Sequence, residues 1–356
     1  MRERSILITG STGLLGQACL HQLIALHGAQ QIAAFVRRGR DTANLEALNI
    51  ETIEVNLFTP DLGLSRDQYN ALSKSSRSVI HCAADIRFHI SLEESRQVNV
   101  LGTENLLRFA QRCPKLEKFA HMSTVYVSGG RSGPIPEQPA QPGAFFNPYQ
   151  QTKFEAEEAV LRAIATVPAT IYRFSTMIYD STQHRVAQFN YFHQLLRLAL
   201  ANPLRTIPAL RDAKVDLILS DWAARVFAFL FEDQWKPGEI FHICTGPGRS
   251  LTVGELFDLT FDVFTDAGAR PDIVSVEEFN RRADAILTTP SRKQMWQSLS
   301  QFLPHMNVDQ SFECSKLTEA TRLREDLQLP DMRPMFQQVL SYCVASGWGA
   351  HELSRL

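Results

Sequence analysis

The feature that most constrains the fold of this chain is a glycine-rich turn close to its start. The apolar run from Ile6 to Ile8 leads into the turn, and a helix pattern with one apolar side follows it. Glycines three residues apart let such a turn tighten, let backbone N–H groups approach a pyrophosphate, and let the helix pack closely on a sheet. The same glycine spacing also occurs in ordinary turns, but the position of this turn between a strand and a helix favours dinucleotide binding. The predicted contacts are Gly10, Ser11, Thr12, Gly13, Leu14, Leu15 and Gly16.

Strand-like and helix-like segments alternate from this turn to about residue 175. After the first strand, further strands are predicted at 32–36, 53–57, 79–84, 119–127 and 169–174. Regular alternation predicts an α/β fold with a parallel, doubly wound sheet of the Rossmann type. The fourth strand ends in the small residues Ala83 and Ala84, which leave room for a cofactor at the carboxyl end of the sheet.

Arginine residues directly follow the second predicted strand. Arg37 and Arg38 stand where charge selects between the two nicotinamide cofactors, and Arg40 is close behind. An acidic residue there would bind the ribose 2′-hydroxyl, whereas arginine can neutralise a 2′-phosphate. The sequence therefore predicts NADPH rather than NADH. These arginines can also be solvated charges on a loop, which is a common arrangement.

Beyond residue 175 the alternation becomes irregular, and the chain is mainly helical after residue 270. We expect an NADP-binding Rossmann domain at residues 1–175, completed by about 213–245, and a smaller, mostly helical C-terminal substrate-binding lobe at 176–212 and 246–356. The strand and helix at 215–231 are expected to return to the main sheet, and a further strand is predicted at 241–244.

The composition limits the classes of function. A net charge of −2 over 356 residues argues against general nucleic-acid binding. No signal-peptide pattern precedes the first strand, and charged residues interrupt the apolar stretch 215–231, so we expect a cytoplasmic protein without a membrane span. The six cysteines form no C-x-x-C pair and are expected to be reduced, mostly buried thiols. His81 and Cys82 are expected to fill the core, and no metal site is predicted.

Three residues in the middle of the chain suggest hydride transfer. Tyr149 and Lys153 are one helical turn apart and share a face. A phenol ionises near pH 10, so we expect the Lys153 ammonium to lower the pKa of Tyr149. Thr124 follows a strand and could hydrogen-bond the substrate oxygen beside the tyrosine. A Tyr and Lys at this spacing are common by themselves and usually carry no function.

With the glycine turn, these residues resemble the extended short-chain dehydrogenase/reductase superfamily over nearly the whole chain. The likeness is strongest to fatty-acyl reductases and to the thioester reductase domains that end carboxylic acid reductases and some peptide synthetases. The motifs that carry it are PDLGLSRDQYNAL, VNVLGTENLL, STVYVSG, YQQTK and FLPHMNVDQSFECSKLTEA.

The resemblance implies roles for particular residues. Thr124 takes the catalytic hydroxyl position, and Tyr149 and Lys153 match the family's Tyr-x-x-x-Lys pair, while Arg37 matches the residue that reads the 2′-phosphate. Two departures are present, because Asn56-Leu57 replaces the usual Asp-Leu near the adenine and Arg173-Phe174 replaces Arg-Pro near the nicotinamide. Asn99 is either a cofactor contact or an ordinary helix surface residue. The remaining expected cofactor contacts are Asn56, Leu57, Ala83, Ala84, Asn99, Phe174 and Ser175.

The resemblance implies NADPH-dependent reduction of an acyl thioester, held on coenzyme A or on a carrier protein, to an aldehyde. Whether a further hydride transfer gives the alcohol is left open by the sequence. The alternatives are a ketone or aldehyde reductase, a nucleotide-sugar epimerase or dehydratase, and a non-catalytic cofactor-sensing protein. An acyl carrier protein is a candidate partner and a homodimer a candidate assembly. In the stretch 180–214, aromatic residues are expected to line an acyl channel or simply to pack the lobe, and arginines to meet the phosphates of the carrier arm. These residues are Phe189, Tyr191, Phe192, Arg185, Arg205 and Arg211.

Overall fold

The fold is built on one seven-stranded parallel sheet, seen in a computed structural model that describes residues 5–201, 203–263 and 270–349. The strands of the sheet lie in the order β12-β7-β5-β4-β1-β2-β3, and every neighbouring pair is parallel. The described residues form these strands: β1 Ile6–Thr9, β2 Ile32–Arg37, β3 Glu51–Val55, β4 Ser78–His81, β5 Lys118–Thr124, β6 Gly133–Ile135, β7 Ala169–Phe174, β8 Thr176–Tyr179, β9 Thr206–Pro208, β10 Lys214–Val215, β11 Leu217–Leu219, β12 Ile240–Ile243, β13 Leu251–Thr252, β14 Asp272–Val274 and β15 Gln310–Phe312.

Helices cover both faces of this sheet. Ile6 and Ile8 point to the core that contains α1 and α8, whereas Leu7 points to the core under α3, α5 and α6, because successive strand residues face opposite ways. The helices are α1 Leu14–His27, α2 Ala43–Ala47, α3 Arg66–Ser75, α4 Leu92–Arg96, α5 Gly102–Gln111, α6 Pro148–Ala163, α7 Tyr191–Leu200, α8 Ser220–Asp233, α9 Val253–Val263, α10 Val276–Ile286, α11 Pro290–Ser300, α12 Leu303–Met306, α13 Ser315–Thr321 and α14 Met332–Ala345. The doubly wound Rossmann-type fold predicted from the sequence is confirmed.

The direction in which successive strands are added to the sheet reverses at β1, because β2 pairs with one side of β1 and β4 with the other. The loops that leave β1 and β4 therefore diverge and open a crevice at the carboxyl edge of the sheet. Open α/β sheets bind ligands at such a point.

The strands at 214–219 do not join the main sheet, so the expectation that 215–231 returns to it is wrong for the strand. β10 pairs with β13, and β11 pairs in parallel with β8 in a separate two-stranded sheet. The helix that follows, α8, does pack against α1 on the main sheet. The expected strand at 241–244 is β12, which extends the main sheet beside β7.

Several strands end earlier than the apolar runs that predicted them. β3 ends at Val55 and β4 at His81, so the residues beyond them belong to the crevice loops. β5 ends at Thr124, where the Thr124 hydroxyl accepts a hydrogen bond from the Tyr126 N–H (3.3 Å) and caps a 3-10 turn. The predicted strands were too long because the loop residues that follow them and face the crevice are small or apolar, as strand residues are.

A buried ion pair fixes helix α6 to the sheet. Arg173 on β7 donates three hydrogen bonds to the Glu157 carboxylate, at 2.9 and 3.2 Å from Nε and at 2.7 Å from Nη2, and both side chains are almost fully buried. The third nitrogen of the guanidinium lies 3.0 Å from His242 Nε2 on β12. Glu157 lies eight residues after Tyr149, so this pair holds the helix that carries the predicted catalytic residues.

Candidate active site

A crevice of about 930 Å³ lies at the carboxyl ends of β1 to β4. It contains nine of the residues predicted to contact the cofactor, namely Gly10, Ser11, Thr12, Gly13, Arg37, Asn56, Leu57, Ala83 and Ala84. The sequence-based prediction missed seven others: Phe35, Val36, Arg40, Val55, Phe58, Cys82 and Val98. Most of these are strand-end residues whose apolar character suggested only core packing.

The glycine turn leaves no space for side chains at two of its positions. A Cβ on Gly10, whose φ is +69°, would lie 2.5 Å from the Ala83 nitrogen, and one on Gly16 would lie 2.1 Å from the Gly10 carbonyl oxygen. Gly13 instead opens toward the crevice, and the nearby Ser11 hydroxyl is buried without a hydrogen-bond partner. A close-packed turn with an unsatisfied hydroxyl fits a bound pyrophosphate.

Two arginines border the crevice on the β2 side. Arg37 is exposed at the end of β2, and Arg40 Nε donates a hydrogen bond to Thr12 Oγ1 (3.1 Å), which ties the arginine loop to the glycine turn. Arg38 is exposed and lies outside the crevice lining. Arg40 was visible in the sequence, but only the fold shows that its side chain turns back across the crevice.

Thr124 and Tyr149 meet beside this crevice. Thr124 ends β5, next to β4, and Tyr149 is the second residue of α6, which begins at the Asn147 cap (Asn147 Oδ1 to Gln150 N, 3.0 Å). Burial raises the pKa of Tyr149 to about 12, while a hydrogen bond with the Thr124 side chain acts to lower it. Tyr149 is therefore protonated at neutral pH and able to donate its proton.

Lys153 lies below Tyr149 on α6 and is buried. Its ammonium donates a hydrogen bond to the Met122 carbonyl (2.7 Å) and lies 3.4 Å from His121 Nε2. Burial lowers the pKa of Lys153 to about 8. The expected lowering of the Tyr149 pKa by Lys153 is not seen here, because the ammonium is directed to the Met122 carbonyl and burial of the phenol dominates.

Two buried histidines stand behind Lys153. The rings of His81 and His121 are 5.5 Å apart, and His81 is held between Thr9 Oγ1 (2.8 Å) and Thr103 Oγ1 (2.9 Å). Burial lowers the pKa of both histidines, that of His81 to about 3. The prediction that His81 fills the core is confirmed, whereas Cys82 faces the crevice.

Asn99 does not line the crevice but fixes one of its walls. It lies in a π-helical turn, Gln97–Leu101, where its amide accepts from the Asp85 N–H (2.7 Å) and donates to the Asp85 carbonyl (2.9 Å) and to Thr152 Oγ1 (2.9 Å). It therefore joins the loop after β4 to helix α6. Short π-helical segments are frequent at functional sites.

The other predicted cofactor contacts lie outside the crevice lining. Leu14, Leu15 and Gly16 begin α1, and Phe174 and Ser175 are buried at the end of β7. The Ser175 hydroxyl donates to the Asp216 carbonyl (2.7 Å), which joins β7 to the strands at 214–219. Their cofactor role remains a prediction.

A second, mostly apolar cavity is lined largely by residues of α7, α9 and α12. It has about 770 Å³ of space, part of it open to solvent, and includes Tyr191 and Phe192 from the predicted channel. Phe189 is instead buried against His193, and Arg211 pairs with Asp258 (2.6 Å). The cavity is lined by Tyr126, Phe146, Tyr191, Phe192, Leu195, Leu196, Ala199, Lys214, Val215, Asp216, Val253, Leu256, Phe257, His305, Met306, Val308, Gln310 and Phe312.

Phe88 connects Tyr149 to this cavity. Its ring centroid is 6.0 Å from that of Tyr149 and 5.2 Å from that of Tyr191, which lines the cavity. Phe88 lies on the loop after β4 that Asn99 holds. The crevice loop and the cavity are thus both linked to the Thr124–Tyr149 pair.

Other sequence-based expectations concern metals, membranes and thiols. In the described part of the chain, no group of three or more His, Cys, Asp or Glu side chains is arranged to hold a metal ion. Across the same residues, no helix has the length and apolar character needed to cross a bilayer. All six cysteines are free thiols, and five of them are buried, as predicted.

Comparison with known proteins gives three kinds of match. The profile of a family described as male sterility protein, an NAD-binding family, matches residues 8–227. Fatty acyl-CoA reductase 1 of Xenopus laevis is 31% identical over 150 residues, which are 36% of this chain and 29% of that protein. Aldehyde reductase lnbA of Aspergillus flavus is 24% identical over 295 residues, which are 74% of this chain and 28% of that protein. The chain thus spans less than a third of either relative.

Among solved structures, the terminal R domain from the myxalamid PKS-NRPS pathway has the same fold. It superposes with a TM-score of 0.80 at 22% identity, covering 98% of this chain and 92% of that one. A UDP-glucuronic acid 4-epimerase from Bacillus cereus in complex with NAD superposes with a TM-score of 0.65 at 17% identity, covering 97% of this chain and 99% of that one. The profile match covers more than half of the chain, which therefore belongs to the male sterility protein family of NAD(P)-binding extended short-chain dehydrogenases/reductases.

Proposed function

We propose that this chain uses NADPH to reduce an acyl thioester to an aldehyde. The observation that carries the proposal is the pairing of Thr124 with Tyr149. Thr124 ends β5 beside β4, whose following loop lines the cofactor crevice, and Tyr149 contacts Phe88, which contacts Tyr191 of the mainly apolar cavity. A cavity with that lining suits an acyl chain better than a nucleotide sugar, whose hydroxyls need many polar partners. The names of the relatives, fatty acyl-CoA reductases among them, agree with this substrate class.

The residues that would hold the cofactor fit its parts. The glycine turn would hold the pyrophosphate, and Arg37 and Arg40 the 2′-phosphate, with Asn56 and Leu57 near the adenine. When bound, NADPH supplies the hydride. Phe174, Ser175 and Lys153 would border its nicotinamide end.

Tyr149 then acts as the proton donor. Its protonated phenol, with Thr124 beside it, hydrogen-bonds the thioester carbonyl oxygen and gives up its proton as negative charge develops on that oxygen. The product at this point is a hemithioacetal. A raised phenol pKa favours this reductive direction because the donor must carry its proton when substrate arrives.

Collapse of the hemithioacetal completes the reaction without further reductant. The Tyr149 phenolate takes back the hydroxyl proton, the C=O bond re-forms, and the C–S bond breaks to release a thiolate that is protonated by solvent. Aldehyde and free thiol are therefore formed in equal amounts. Lys153, whose ammonium is directed to the Met122 carbonyl, would act on the cofactor rather than on the phenol.

We further propose that residues 176–212 and 246–356 form a substrate lobe. Support comes from the apolar cavity, whose lining is drawn from α7, α9, α12 and β15 and from Tyr126 and Phe146 of the earlier part of the chain. Coenzyme A and a carrier protein are the two candidate carriers of the acyl group, and a homodimer is the proposed assembly.

The test of function is a substrate panel. Acyl thioesters on coenzyme A and on carrier proteins should support NADPH oxidation, with release of one free thiol and one hydrazine-trappable aldehyde for each NADPH consumed. Tyr149→Phe, purified in parallel, serves as the background control. Turnover of a ketone or a UDP-sugar, with no thiol released from any thioester, would reject thioester reduction.

Cofactor choice gives a separate prediction. Arg37→Glu should raise the dissociation constant of NADPH by about 10- to 100-fold, because a charged hydrogen bond to phosphate contributes about 1.5–3 kcal/mol. The dissociation constant of NADH should change less than about threefold, since NADH lacks the phosphate. Fluorescence titration of both cofactors measures this, with the exposed Arg66→Glu on α3 as the charge-matched control. Equal weakening of both cofactors would show that Arg37 does not bind the 2′-phosphate.

A further inference from the structure

The apolar cavity contains a small number of polar side chains, and nearly all of them already have partners. The hydroxyls of Tyr126, Thr176 and Tyr191 form a chain, with oxygens 2.9 and 3.0 Å apart. The Gln310 amide donates to the Gly129 carbonyl (2.8 Å), and the Asp216 carboxylate accepts from Thr245 N (3.0 Å). These polar side chains therefore already use their hydrogen-bonding groups within the protein.

His305 is the exception. It lies on the short helix α12 and lines the cavity, yet its imidazole makes no hydrogen bond or ion pair with any residue that the structure describes. Its half-buried ring packs against four aromatic side chains, at centroid distances of 6.1 Å to Phe88, 5.8 Å to Tyr191, 6.0 Å to Tyr126 and 5.4 Å to Phe146. A polar side chain fixed by packing but lacking a partner is the usual form of a specificity contact in an apolar pocket.

The chemistry of His305 limits what it can bind. Burial lowers its pKa to about 4, so the ring is neutral at physiological pH. A neutral imidazole presents one N–H donor and one nitrogen acceptor. Such a pair suits a hydroxyl or carbonyl oxygen and offers no charge to a carboxylate or phosphate.

The position of His305 limits where that oxygen must be. Phe88 contacts both rings, so His305 and Tyr149 are separated by a single phenylalanine side chain. An acyl group whose carbonyl carbon lies at Tyr149 and whose chain enters the cavity would pass His305 along its length. The partner of His305 is then an oxygen on the acyl chain itself, no farther from Tyr149 than the two ring contacts of Phe88, 6.0 and 6.1 Å, together allow.

We propose that His305 is a specificity-determining residue that hydrogen-bonds an oxygen substituent on the acyl chain. The enzyme then prefers hydroxyacyl or ketoacyl thioesters to plain alkyl thioesters of the same length. This inference rests on the proposed thioester reduction and adds the class of acyl group. A site with an unpartnered polar group discriminates because a plain alkyl chain leaves that group unsatisfied.

The test compares matched thioesters with and without a hydroxyl or keto group, placed at successive positions along the acyl chain. At the matching position the wild-type protein should show a kcat/KM about 10- to 100-fold higher for the oxygenated substrate than for the alkyl one. His305→Phe, which keeps the aromatic packing, should bring this ratio of kcat/KM values close to one. His305→Gln should restore much of the preference because it keeps a donor and an acceptor. Met306→Leu, an apolar change in the same lining, should alter both substrate classes alike.

Each outcome has one meaning. An unchanged preference ratio in His305→Phe, or no preference in the wild-type protein, overturns the inference while thioester reduction stands. Equal loss for both substrate classes also overturns it, because His305 would then contact the part they share.

If the wild-type protein reduces no thioester, the proposed function fails, and calorimetry on the NADPH-loaded protein decides the role of His305. In that case tighter binding of a diol than of the matched simple alcohol, lost in His305→Phe, supports the contact, and equal binding rejects it.

Discussion

Replacement of Tyr149 by phenylalanine is expected to lower kcat by about 10²- to 10⁴-fold, the usual contribution of a positioned acid–base group. The ring would still pack against Phe88, so the fold and the crevice are kept. The dissociation constant of NADPH should therefore stay within about twofold of the wild-type value. Single-turnover NADPH oxidation and cofactor titration, carried out on the same preparation, separate the two effects.

Tyr172→Phe is the matched control for this experiment. Tyr172 is fully buried on β7, away from the crevice, and its hydroxyl has no hydrogen-bond partner. Removing that hydroxyl should leave turnover unchanged. If Tyr149→Phe kept half of the wild-type activity, Tyr149 would not be the proton donor.

Mild acid is expected to destabilise the protein strongly. In the described part of the chain four histidines are fully buried, and burial lowers the pKa of each, to about 3 for His81 and His242, to about 4 for His193, and well below its usual value for His121. The half-buried His305, with a pKa lowered to about 4, adds to the same effect. In the unfolded chain these histidines bind protons near pH 6.5. The unfolded state therefore takes up more protons, and stability falls as the pH drops below about 6.5.

The size of this effect follows from the number of histidines. Each contributes about 1.4 kcal/mol of lost stability between pH 7.5 and 5.5, so four contribute about 5 kcal/mol. Burial raises the pKa of Asp216 and of Glu137, and these carboxyls offset part of the loss because they gain protons in the folded state. We expect a net fall of at least about 3 kcal/mol, a large part of a typical domain's stability.

Urea unfolding at the two pH values measures this fall. His193→Gln, whose amide can replace the hydrogen bonds to Ile178 and Asn190, should reduce the loss by about 1.4 kcal/mol. A free energy of unfolding that changes by less than 1 kcal/mol between pH 7.5 and 5.5 would contradict the prediction.

The sequence was informative where one local pattern determines one local structure. A Ser followed three residues later by Gln or Glu is typical of a capped helix start, and Ser65 and Ser91 form such capping boxes at α3 and α4. The glycine turn follows β1, where the order of strand addition reverses. Strand partners are set by distant contacts instead, so β11 at 217–219 could not be assigned to its separate sheet with β8 from its own composition.

The site was predictable to a similar degree. Residues at strand ends and turns, such as Arg37 and Ala83, line the crevice because parallel strands all bring their carboxyl ends to one edge. His305 could not be found this way. It comes from a four-residue helix near the end of the chain, and only the tertiary fold brings it beside Phe88.

The contact between Gly10 and the end of β4 has a consequence for protein engineering. Any side chain at Gly10 or Gly16 would collide with backbone atoms at 2.5 and 2.1 Å, so random mutagenesis across the turn would yield mostly misfolded clones. Arg37 at the end of β2 and Arg40 on the loop that follows it are exposed, so exchanging them meets no such collisions. On the proposal that these arginines bind the 2′-phosphate, a library confined to residues 37–40 is expected to change the preference between the two nicotinamide cofactors while the glycine turn is kept fixed.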